Sequence, residues 1–152
     1  MGAGTESLSP WAEHARRTLE YRGYRASAPR AAVVAALAEL GCSASAREIA
    51  DRLHDRGRSA GLASVYRTLE LLEQLQLVRR LDVGDGGARY EPELPTGEHH
   101  HHLVCDRCGT VSIFADDDLE RAIERLSRRV DFDIGAHDVT LRGECPACSG
   151  AR

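Results

Sequence analysis

Apolar residues recur at helical spacing through the first half of the chain and then give way to short extended runs. Ser9-Pro10 sets a capping side chain before a proline at the first helical position, which predicts a helix to about Tyr21, ended by Gly23. Ser27-Ala28-Pro29 repeats the signal, and Val33, Val34, Leu37 and Leu40 follow three and four apart, so a second helix turns them toward a core. Ser45-Ala46-Arg47-Glu48 has the form of a capping box, and Ile49 and Leu53 carry the period into a short third helix closed by Gly57. A fourth helix runs from Leu62 to Leu75. Leu62, Val65, Leu69, Leu72 and Leu75 share one face of it, while Ser64, Tyr66, Arg67 and Glu70 lie on others. Leu77–Val83 and Ala88–Glu91 flank Gly84-Asp85-Gly86-Gly87 as the strands of a β-hairpin do. Helices followed by a hairpin, with a short connection between the third and fourth, predict a winged helix-turn-helix.

Pro92-Glu93-Leu94-Pro95-Thr96-Gly97 places two prolines and a glycine in six residues, the clearest domain boundary in the chain. Beyond it, His101–Val104 and Thr110–Phe114 read as strands. Asp117–Arg129 reads as a helix with Leu119, Ile123 and Leu126 on one face, and Phe132–Ile134 and Asp138–Arg142 as further strands. The fold class expected is therefore α+β, a winged helix-turn-helix followed by a small α/β unit.

Composition narrows the function. Of 152 residues, 42% are hydrophobic and 29% charged, too apolar for a disordered chain and too polar for a membrane protein. No apolar run approaches the ~20 residues that span a bilayer, and Met1–Pro10 lacks the form of a secretory signal. The expected location is the cytoplasm. All twenty basic residues are arginine, so any phosphate-binding surface is built from guanidinium forks. Divided at Leu94, the halves carry formal charges of 0 and −4, which leaves nucleic-acid binding to the first half and excludes non-specific coating of nucleic acid. Five cysteines in such a chain point to metal or redox chemistry before disulfides.

Cys105-Asp106-Arg107-Cys108 and Cys145-Pro146-Ala147-Cys148 each set two thiolates one tight turn apart, the separation that lets both reach one tetrahedral zinc ion. Two redox CxxC motifs or unligated buried thiols are the alternatives. In the run His99-His100-His101-His102, extended backbone would point His99 and His101 one way and His100 and His102 the other, so two metal sites could share one strand. Further ligands available are Glu120, His137 and, at the boundary, Glu91 and Glu93; the plainer reading is a solvated polar strand. Ser64, Tyr66 and Arg67 open the fourth helix, where a recognition helix presents groove-reading side chains. Arg25 and Arg30 flank the start of the second helix as phosphate or minor-groove contacts, or as ordinary solvated charge. His14 and His54 read as surface residues.

Gly61-Leu62-Ala63-Ser64-Val65-Tyr66-Arg67, then Tyr90-Glu91, then His99-His100-His101-His102-Leu103-Val104-Cys105-x-x-Cys108-Gly109 together closely resemble the ferric uptake regulator (Fur) superfamily of metal-sensing repressors. The resemblance spans roughly Tyr21 to Cys148. It implies a DNA-binding winged helix over residues 1–91, a hinge over 92–98 and a metal-binding dimerisation domain over 99–152, working as a homodimer on palindromic double-stranded operator DNA. It further implies structural zinc on Cys105, Cys108, Cys145 and Cys148, and a dimerisation-domain site of His99, His101, Glu120 and His137. A regulatory site for iron or zinc would use Glu93, with Glu91 in reserve, His100, His102 and a ligand from the DNA-binding domain. Here the chain departs from the family, whose frequent histidine before the third helix is replaced by Ser43 with Cys42 beside it. The zinc-sensing branch's hinge cysteine is also missing. The acidic hinge favours iron and a Cys42 thiolate favours zinc.

The expected function is metal-dependent, sequence-specific repression of metal-homeostasis genes, with no membrane and no small-molecule substrate. A zinc hydrolase or redox enzyme fits less well, because a site closed by four thiolates leaves no room for substrate. A metal-storage or chaperone protein would leave the helix-turn-helix without a purpose.

Overall fold

Serine side chains start three of the helices in the first half. The computed structural model describes residues 9–41, 43–58, 60–84, 87–93 and 100–150. The chain divides into two compact units, Met1–Thr96 and Gly97–Arg152. In the first, α1 (Pro10–Tyr21) is capped by Ser9, α2 (Ala28–Leu40) by Ser27 and α3 (Ala46–Asp55) by Ser45. Ser45 and Glu48 form the full reciprocal box, with Glu48 N–H on Ser45 Oγ at 3.2 Å and Ser45 N–H on Glu48 Oε2 at 2.7 Å. α4 (Leu62–Gln74) follows, then β2 (Val78–Asp82) and β3 (Ala88–Pro92). Gly87, at φ +80°, takes the left-handed backbone that the hairpin turn needs.

A two-residue strand, β1 (Ala44–Ser45), escapes the sequence reading. It pairs antiparallel with β3, giving a three-stranded sheet of order β1-β3-β2. Two residues carry no alternation to detect, and β1 exists only because β3 offers Tyr90 and Arg89 as partners. Arg89 fastens the junction, donating to the Ser43 carbonyl at 3.0 Å and lying 3.1 Å from Glu48.

The core of this unit is built from Trp11, Val33, Leu37, Ile49, Leu53, Val65, Leu69, Leu72 and Tyr90 among others. Trp11 also donates its indole N–H to the Leu77 carbonyl at 2.7 Å, satisfying the one polar atom that its burial would strand. Leu62, expected on the buried face of α4, is instead 38% exposed, because it sits in the first turn, beyond the reach of the core.

The second unit contains β4 (His101–Cys105), β5 (Val111–Phe114), α5 (Asp117–Val130), β6 (Thr140–Gly143) and α6 (Pro146–Ser149). Its sheet has the order β5-β4-β6, with β4 antiparallel to β5 and parallel to β6. The strand expected at Phe132–Ile134 does not form. Asp131 adopts φ +51° at the end of α5, and the Ser127 hydroxyl donates to the Phe132 carbonyl, so these residues finish the helix and leave Phe132 68% exposed. The apolar face of α5 also lacks the core expected of it: Leu119 and Ile123 are half-buried, Leu126 is exposed and no residue of the helix is buried within the chain. Leu103, Ile113 and Leu141 on the sheet are exposed as well.

Candidate metal centres and nucleic-acid interface

The parallel pairing of β4 with β6 brings the two cysteine pairs together, since both strands leave the sheet at the same end. Gly109, at φ +72°, lets the chain turn back after Cys108, so that Gly109 N–H meets the Cys105 carbonyl at 2.9 Å and Cys105 N–H the Thr110 carbonyl at 2.9 Å. Pro146 starts α6, whose first turn returns Cys148 N–H to the Cys145 carbonyl at 2.9 Å. The four sulfurs of Cys105, Cys108, Cys145 and Cys148 lie within 4.8 Å of one another, and the Cys108 and Cys145 sulfurs are 3.7 Å apart. Zinc–sulfur bonds of ~2.3 Å in a tetrahedron require sulfurs about 3.8 Å apart, so the donor set fits one zinc ion in both chemistry and size.

The sulfurs are electrostatically unequal. The Cys145 backbone N–H, 3.3 Å from the Cys105 sulfur, and the N–H of Cys108 hold the Cys105 thiol down at about 6. Thr110 lowers that of Cys108, its Oγ1 3.1 Å from the sulfur. Hydrogen bonding with Cys108 and Cys145 pushes Cys148 up to about 12.

Two arginines outside the candidate ligand set brace this site. Arg107 donates to the Cys148 carbonyl at 2.6 Å and lies 3.7 Å from Glu144, tying one knuckle to the other. Arg142 reaches Asp106 at 2.5 Å, and Asp106 N–H meets the Gly143 carbonyl at 2.8 Å. The available signal was an acid beside one cysteine pair and a base inside the other.

At the opposite end of β4 stands a nitrogen and oxygen cluster. His101 is 1% exposed; its Nε2 lies 2.7 Å from Glu120 Oε1, while Glu120 Oε2 lies 3.0 Å from His137 Nε2. The ligand atoms of these three residues are all within 4.8 Å of one another. α5 supplies Glu120 from its first turn, where Asp116 caps the helix. Two imidazoles and a carboxylate suit a divalent ion of intermediate softness such as zinc, iron or manganese. His99, the fourth residue expected here, lies outside the described residues, as do Cys42 and Leu94–Gly97 of the hinge.

His100 and His102 stack edge to face with ring centroids 5.3 Å apart, and His102 is 2% exposed. Of the two hinge acids, Glu93 engages Arg79 at 3.3 Å, whereas Glu91 is 5% exposed and follows Tyr90, whose ring enters the first unit's core from the other face of β3.

In α4, burial of Val65, Leu69 and Leu72 fixes the helix and turns Tyr66 and Arg67 outward, Tyr66 being 44% exposed. Ser64 is half-buried and its carbonyl accepts from the Thr68 hydroxyl at 3.0 Å. Arg25 is exposed. Arg30 folds back, donating to the Arg25 carbonyl at 2.9 Å with its guanidinium 5.6 Å from the Tyr24 ring centroid.

A sequence model described as the ferric uptake regulator family matches residues 21–142. The ferric uptake regulation protein of Bacillus subtilis (strain 168) is 40% identical over 107 residues, which cover 70% of this chain and 72% of that protein. The solved ferric uptake regulator of Vibrio cholerae aligns with a TM-score of 0.76 at 30% identity, over 86% of this chain and 98% of that one. That of Helicobacter pylori, reported with three functional metal binding sites, aligns with a TM-score of 0.81 at 28% identity over 95% of each chain.

Proposed function

The chain belongs to the ferric uptake regulator family, whose members are metal-responsive transcriptional regulators and not enzymes, and from that premise we propose that it is a homodimeric repressor. It binds operator DNA in the cytoplasm when a divalent ion, iron or zinc, serves as corepressor at metal-homeostasis genes. The observation that carries this reading is the division of labour along β4. One end ends in four sulfurs suited to permanent zinc, and the other carries an imidazole and carboxylate set suited to an exchangeable ion.

Cys105, Cys108, Cys145 and Cys148 hold structural zinc. His101, Glu120 and His137, with His99, make the dimerisation-domain site. His100 and His102 hold the corepressor ion with a hinge carboxylate, for which Glu91 takes precedence over Glu93: Glu91 is a buried acid, and Glu93 already answers Arg79. Arg89 hydrogen-bonds to Ser43, the residue standing where the family often has histidine, which leaves Cys42 as the candidate ligand from the DNA-binding domain. An ion there cross-links the hinge histidines to the winged helix and favours one spacing of the two recognition helices over others.

Tyr66 and Arg67 read the major groove, and Ser64 and Arg25 contact backbone phosphate with Arg30 behind them. A second copy covers the apolar surface of α5, Leu103 and Leu141, which a monomer leaves in water. No helix among the described residues is long and apolar enough to cross a membrane.

The test starts with elemental analysis of protein purified without added metal. Genomic fragments retained by the protein are then sequenced to define the operator, and its binding is titrated with iron, zinc, manganese and nickel. Operator affinity that rises with one of these ions over a stable zinc-containing dimer is the expected result. Sequence-specific binding indifferent to all four overturns the corepressor reading.

A further inference from the structure

We propose that the groove between α1 and α2 is a binding site for a small amphipathic carboxylate, and that its occupation takes Arg25 and Arg30 away from DNA. The groove has a volume of about 390 Å³, within the ~300–1,000 Å³ range of small-molecule sites. Its walls are apolar and mostly short: Ala12, Leu19, Ala31, Val34 and Ala35 leave the space that a hydrocarbon body fills. Of the residues lining it, the DNA reading uses Arg25 and Arg30 alone.

Charge selects the head group. Three guanidinium groups, Arg16, Arg25 and Arg30, line the groove against one carboxylate, Glu20, which already answers Arg16 at 2.6 Å. The remaining charge is positive in a chain whose formal net charge is −4. Arg30 is also held in place, by the Tyr24 ring on one side and the Arg25 carbonyl on the other. A planar carboxylate accepts from a guanidinium fork at two oxygens. An alcohol lacks the charge, an ammonium ion is repelled, and a fully polar anion gains nothing from the alanine walls.

The link to DNA rests on the assignment of Arg25 and Arg30 to the operator made above, but ligand binding itself does not. The experiment separates the two. Octanoate and octylammonium are titrated calorimetrically into the zinc-loaded 152-residue chain and into Arg30→Gln and Ala35→Phe, the second of which fills the groove from a half-buried wall position. Octanoate bound by the wild type and weakened about tenfold or more by either substitution, with octylammonium bound at least about tenfold more weakly, is the expected pattern. No octanoate binding, equal binding of the two ions, or binding unchanged in Arg30→Gln overturns the site, so the result stands even if Ala35→Phe fails to fold.

Operator affinity is then measured with and without octanoate. A drop in the wild type that is absent in Ala35→Phe supports competition, and bound octanoate without effect on operator affinity overturns it. If the metal-loaded protein binds no operator at all, the regulatory reading fails while the calorimetric result still decides the site.

Discussion

Removing one sulfur from the four-cysteine cluster is expected to unfold the second unit and leave the first standing. The perturbation is Cys105→Ser, with Cys145→Ser as its counterpart on the other knuckle. In the first unit nineteen buried residues among those described form a continuous core. In the second, the buried apolar residues among those described are Val104 and Cys105, accompanied by His101 and His102. A buried valine contributes about 1.5–3 kcal/mol, well below the ~5–15 kcal/mol by which domains are ordinarily stable. Structural zinc contributes about 10–16 kcal/mol of apparent binding energy, so an ion on the four sulfurs, together with the second copy proposed to cover α5, would supply what the core does not.

The assay uses an accident of composition. Trp11 is the chain's single tryptophan and is buried in the first unit, so its emission reports that unit, whereas far-ultraviolet circular dichroism also counts the 14 residues of α5. In Cys105→Ser, zinc content and part of the ellipticity are expected to fall and sedimentation to shift toward the monomer, while Trp11 emission keeps its native wavelength. A variant that kept its zinc and its dimer would refute the assignment. Simultaneous exposure of Trp11 would refute the independence of the two units.

Four further outcomes are expected. Tyr66→Ala and Arg67→Ala lose operator binding in fluorescence anisotropy with zinc content and dimerisation unchanged; an Arg67 base contact is worth about 1–3 kcal/mol and its loss relaxes one operator position, whereas a phosphate contact lowers the salt slope. His100→Ala remains a folded zinc-containing dimer whose operator affinity no longer rises with added metal, and Cys42→Ser does the same if Cys42 is the winged helix's ligand; metal-proportional repression by His100→Ala would sink the hinge switch. Arg107→Gln loses zinc to a chelator faster than the wild type at equal melting temperature of the first unit, and an unchanged rate removes Arg107 as a brace. Glu48 is pushed up by burial but drawn down further by Ser45 and Arg89, so its folded value lies below the unfolded one. Its stabilisation is therefore present above the unfolded carboxylate range and is lost as pH falls through the folded value; Glu48→Gln should flatten the acid limb of the Trp11-monitored melting curve, and an unaltered limb would rule it out.

The parts legible in the sequence are those with local causes. Ser9, Ser27 and Ser45 announce helices because a cap needs only its own next three residues, and all three helices start where those signals place them. CxxC spacing announces a knuckle for the same reason. The parts missed depend on distant partners or on competing local chemistry. β1 is a strand only through β3. The residues Phe132–Ile134 have strand-like composition, yet the Ser127 hydroxyl and the left-handed Asp131 claim their backbone first. α6 has its start signal in Pro146, inside the second cysteine pair, where CxxC spacing dominates the local pattern. Glu120 and His137 were candidates by residue type, but which metal set they join rested on the family resemblance, since nothing local links a helix residue to a strand 19 positions earlier. The braces Arg107 and Arg142 had a weak signal, because arginine beside acid is commonplace on any surface.

The parallel course of β4 and β6 also decides where this chain can change length. Cys105 and Cys145 leave the sheet side by side, so the stretch between them is an excursion that departs from and returns to one place. Residues added between Asp131 and Gly135 lengthen the detour without displacing either knuckle, and loop closure grows only slowly with length. One residue deleted between Thr140 and Cys145 shifts the second pair by ~3.3 Å and reverses the side of the strand its thiols face. Insertions and deletions tolerated over evolutionary time should therefore gather in the loop after α5 and be absent from the few residues before Cys145, a pattern imposed by strand direction and not by the metal.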